Sequence, residues 1–75
     1  MNEADQVKLA TAKKQLEDAK SILEELAGSQ QDEFDNLSEA KQTQDAGQEI
    51  EENANSLSDI VSNLEDQITA IDELK

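Results

Sequence analysis

Apolar residues recur through the first half of the chain in steps of three and four. Leu9, Ala12, Leu16, Ala19, Leu23 and Leu26 trace one seam, the spacing of a helix face that packs on another helix. Leu9, Leu16 and Leu23 take heptad position a; Ala12, Ala19 and Leu26 take d. The second half repeats the pattern with Ile50, Ala54, Leu57, Val61, Leu64, Ile68 and Ile71. Here Ala54, Val61 and Ile68 are a, and the remaining four are d. Both stripes hold the helical period and neither alternates as a strand would.

Two seams in one short chain predict an all-α fold, an antiparallel two-helix hairpin zipped as a coiled coil. Pairing residues whose numbers sum to 80 brings every a against a d, Leu16 with Leu64 among them. The spacing predicts one domain over residues 1–75, with a helix over 3–36, a bend over 37–43 and a helix over 44–74. Helices of that size run about 50 Å and about 46 Å. Asn2 is the expected cap of the first helix and Thr43 of the second. Gly28 is expected to sit inside a continuous first helix. On one flank, Lys13 is expected to approach Glu65.

Seventy-five residues bury little core and usually need a staple or a partner. The chain has no Cys and no His, so a disulfide and a thiolate or imidazole zinc site are excluded. Self-association is the expected substitute. Ile22 and Ile60 lie at position g on one flank, with Leu74 near its end. A homodimer, closing as a four-helix bundle, is the expected assembly.

Charge narrows the partners. Nineteen Asp and Glu against six Lys give a net charge of −13. A basic footprint for nucleic acid is missing, and an anionic membrane surface would repel the chain. No apolar run approaches a membrane span. The polar, acidic opening MNEADQ does not read as a signal peptide. The expectation is a protein of the bacterial cytoplasm, with no cofactor and no metal.

The acids are not scattered. Asp45, Glu52, Asp59, Asp66 and Glu73 are seven apart at position f, one row on the outer face, about 10.5 Å per step. Glu49 lies beside the row. Between Gln42 and Leu74 there are nine acids and no Lys. A solvated exterior explains polar residues at f, yet mixed signs would serve a helix better than one sign. Duplex DNA carries a charge every ~1.7 Å of axis. A hairpin of this net charge spread over about 50 Å carries one per ~4 Å, and two side by side one per ~2 Å.

The run FDNLSEAKQTQDAGQEIEE, with Phe34, Asp35, Asn36, Leu37, Glu39, Gly47, Gln48, Glu51 and Glu52, resembles a group of small acidic phage and prophage proteins of no settled activity. Their pattern is Phe-Asp-Asn-Leu, a gap, Gly-Gln, then Glu-Glu. Ser38 stands where that group often has Pro, and Ala46 where it often has a basic residue. The resemblance covers roughly the last fifty residues. It implies a phage-type origin and nothing catalytic.

Catalysis reads poorly. Without His a nucleophilic triad lacks its base. Adjacent carboxylates such as Glu24 with Glu25 and Glu51 with Glu52 point outward with no pocket. QDEFDNLSE lacks the ligand spacing and central Gly of an EF-hand loop. The expected function is therefore a non-enzymatic protein-binding module. Its leading form is a phage inhibitor or decoy, of the anti-restriction or anti-CRISPR kind. Asp45, Glu49, Glu52, Asp59, Asp66 and Glu73 would imitate nucleic-acid charge and block a basic nucleic-acid-binding protein of the host. The alternative is a homo-oligomeric structural coiled coil of a phage. A small-molecule sponge, the third reading, has few basic groups to hold an anionic ligand.

Overall fold

The computed structural model describes residues 1–74. Three helices follow one another: α1 (Glu3–Asp35), α2 (Glu39–Gln42) and α3 (Asp45–Asp72). The long helices α1 and α3 fold back side by side into a rod of 58 × 14 × 13 Å. No strand occurs among the described residues.

Local chemistry sets the ends. Asn2 caps α1, its side-chain oxygen accepting from the Asp5 N–H at 2.8 Å, and Glu3 and Asp5 sit in the first turn where the helix dipole favours anions. Gly28 lies inside α1 without a break. The expected plain bend contains the short helix α2, capped by Ser38. Thr43 does not cap α3: its hydroxyl donates to the Ala40 carbonyl at 2.9 Å, and Gln44 takes the cap position with no side-chain bond. The Gln42 amide donates to the carbonyls of Phe34 (3.1 Å) and Leu37 (3.3 Å), tying α2 to the end of α1. Phe34 lies in the last turn of α1 and Leu37 just beyond it, where helical partners run out.

Gly47 is buried in the first turn of α3 against α2. A β-carbon there would lie 2.9 Å from the Gln42 Cα and closer still to the Lys41 carbonyl oxygen. The bend can therefore close tightly only over a residue with no side chain.

On α3 the covered face follows the sequence seam, with Ile50, Ala54, Leu57, Val61, Leu64, Ile68 and Ile71 buried or half-buried, and adds Gly47 at the bend. On α1 it does not. The half-buried residues step through Leu9, Lys13, Leu16, Lys20, Leu23, Ala27, Gln30 and Phe34. Ala12 and Leu26, expected in the seam, are exposed, and Ala19 is half-covered at its edge. The helix is turned by about half of a 100° residue step. The reason is electrostatic. Lys13 and Lys20 lay their stems over the interface and keep their ammonium groups in water, where Lys13 meets Asp72 and Lys20 meets Glu65 at 3.2 Å.

The Lys13–Glu65 contact expected from the sequence is thus replaced by two ion pairs, each one heptad along on one helix. Both join residues whose numbers sum to 85, which centres the ion-pair ladder between Gln42 and Thr43 rather than at Ala40.

Candidate functional site

Two flanks of the rod differ in chemistry. One is a charged cleft between α1 and α3, lined by Lys13, Glu17, Lys20, Glu24, Glu65 and Asp72. Lys20 bridges it, reaching Glu65 across the cleft and Glu24 (3.5 Å) on its own helix. The Lys13 ammonium is held above the ordinary lysine value by its hydrogen bond to Asp72, and then by that carboxylate's charge. Lys20 is raised chiefly by its hydrogen bond to Glu65, against some loss of hydration. These lysines neutralise Glu65 and Asp72 on the inner shoulder of α3, while Glu51, at the same heptad position nearer the bend, is exposed and has no ion-pair partner among the described residues.

The outer row keeps its charge. Asp45, Glu52, Asp59, Asp66 and Glu73 are all exposed, as is Glu49 beside them. None of the six has an ion-pair partner among the described residues. Lys75 lies outside the described residues. α3 puts these side chains outward because its apolar seam occupies the opposite side of the helix. Heptad spacing alone marks the row; the neutralisation of Glu65 and Asp72 beside it depends on the cross-helix pairs. The signal for that lay in Lys13 and Lys20, seven apart, as Glu65 and Asp72 are.

The other flank is open and neutral, a shallow cleft lined by Leu26, Gln30, Asn53, Ser56, Leu57 and Ile60. Ile22 and Ile60, the expected self-association pair, are 64% and 45% exposed, and Leu26, which sequence reasoning had placed in the seam, is 45% exposed. Leu74 is also exposed, at the far end of the rod beside Met1 and Leu9. Among the described residues, no group of three or more acids gathers to hold a metal ion. No helix there is long and apolar enough to cross a membrane.

Comparison with known protein families, with curated proteins and with solved structures finds no match.

Proposed function

We propose that this chain is a non-enzymatic binding module whose outer α3 face docks on a basic, nucleic-acid-binding protein of a bacterial host and occupies its nucleic-acid groove. The supporting observation is the row Asp45, Glu52, Asp59, Asp66 and Glu73, exposed and without lysine partners. The lysines of α1 pair with Glu65 and Asp72 on the shoulder and leave the row, and Glu51 beside it, unpaired. One sign of charge along a rigid rod raises the local concentration of a basic partner and speeds its approach, in a manner that salt weakens. The phage-type resemblance of the bend and of α3 fits an anti-defence role.

The test is capture from a nuclease-treated bacterial lysate at low salt, followed by elution with rising salt and by competition with duplex DNA. The wild-type chain should retain a small set of basic proteins that both salt and DNA release. Replacing Glu52→Gln, Asp59→Asn and Asp66→Asn together should lose that set while circular dichroism still reports the helices. The same set retained by the triple variant would refute the reading.

A second reading, a homo-oligomeric assembly coiled coil closing as a four-helix bundle, draws on a different observation. Ala54, 4% exposed, is the only buried hydrophobic side chain among the described residues. A lone hairpin with so little interior gains from a second copy.

A further inference from the structure

We infer that two copies of this chain pair through the neutral flank, α1 against α1 in opposite directions, about a two-fold axis between Ala19 and Ile22. The inference rests on the second reading above, for which it fixes the face and direction of pairing, and the acidic-face reading could fail without touching it.

The hairpin leaves large apolar side chains uncovered, Ile22 at 64% and Leu26 and Ile60 at 45% exposure among them. Because Lys13 and Lys20 turn α1, its stripe of Ala12, Ala19, Ile22 and Leu26 spills out of the interface onto one side. Helical spacing puts Ile60 of α3 on that same side, where it shares a cleft with Leu26. No described side chain larger than alanine is fully buried, so the missing interior must come from outside the single chain.

Charge selects the occupant. Along this flank Ala12, Gln15, Ala19, Ile22 and Leu26 of α1 and Asn53, Ser56, Ile60 and Gln67 of α3 are uncharged, with Asp18 and Glu25 only at its outer edge. In a chain of net charge −13, this is the surface on which a second, equally acidic copy can approach without stacking like charges. A basic partner would find nothing there to bind.

Charge also selects the direction. Continuing the same α1 flank outward, Lys8 borders the neutral strip at one end and Glu33 at the other. An antiparallel α1 pair joins positions whose numbers sum to 41. It sets Lys8 level with Glu33 of the second copy, twice over by symmetry. It also sets Ala19 level with Ile22, small against large, as close packing prefers. A two-fold axis along the rod would instead bring the Glu33 and Glu49 ends of both copies together, four carboxylates at one place. Antiparallel pairing leaves the two α3 acidic rows outside.

Equilibrium sedimentation tests this. The wild-type chain should show twice 8.3 kDa at tens of micromolar. Lys8→Glu, a change on an exposed N-terminal turn, should weaken dimerisation about tenfold at low salt. Lys8→Glu with Glu33→Lys should restore it, an outcome that only the antiparallel register gives. Ile22→Asp with Ile60→Asp should yield monomer. A wild-type chain of single mass across that concentration range would overturn the proposal, and so would a charge swap that fails to rescue.

Discussion

Gly28 offers a quantitative test of α1. The helix runs through it with helical geometry, and its φ is not positive. A β-carbon added there meets nothing within 4 Å. Gly28→Ala therefore adds no clash. It removes conformational freedom from the unfolded chain and shields backbone, a gain of about 1 kcal/mol for glycine to alanine inside a helix. For a domain of this size, 1 kcal/mol corresponds to a midpoint shift of roughly 4–8 °C. Thermal melting followed by circular dichroism at 222 nm reads it, at one fixed protein concentration because association also moves the midpoint. Helical spacing puts Gly28 toward the outer side of the charged flank, away from the neutral strip, so the inferred dimer leaves the gain intact. An unchanged or lowered midpoint would refute a continuous α1 with Gly28 in open solvent.

Gly47→Ala is the same chemical change with the opposite expected sign. Its β-carbon meets backbone of α2, so urea denaturation should show a loss of about 1–3 kcal/mol, the range of overpacked sites. Gln42→Ala removes the amide bonds to Phe34 in the last turn of α1 and to Leu37 just past it and should cost about 1–2 kcal/mol by the same assay. The lysine bridges give a pH signature. Folding raises the pKa of Lys13 and Lys20 above 10.5, so the folded state holds those protons more tightly. Their contribution is complete below the unfolded value and disappears as pH climbs through the raised folded value. Urea midpoints between pH 9 and 12 should fall for the wild type and fall less for Lys13→Met with Lys20→Met; equal falls would contradict the bridges.

The helices were legible because their signals are local. Apolar spacing in α3 names its buried face residue by residue from Ile50 to Ile71, though not Gly47, and Asn2 followed by Glu3 and Asp5 marks a helix start. The bend was harder. Thr43 has the chemistry of a cap, but it closes the end of α2, which Ser38 caps, and its hydroxyl turns back to the Ala40 carbonyl. The α1 face was misread for a reason of energy rather than pattern. Counting only apolar residues selects Ala12 and Leu26 for the interface, whereas Lys13 and Lys20 bring long aliphatic stems and meet carboxylates on α3. A binary pattern gives no weight to that combination. For the acidic row, the positions followed from heptad arithmetic. Which acids stay unneutralised depended on the cross-helix register, which the arithmetic set one heptad away for the Lys13 and Glu65 contacts.

The account turns on a chain folded back on itself and doubled side by side, with its acidic rows outward. Small-angle X-ray scattering of the wild-type chain at tens of micromolar reports length and mass together. The expected particle is little longer than the 58 Å rod and has twice the 8.3 kDa chain mass. A longest dimension near 110 Å, that of one unbroken helix of this chain at ~1.5 Å per residue, would contradict the hairpin. The short length with the mass of a single chain would contradict the pairing.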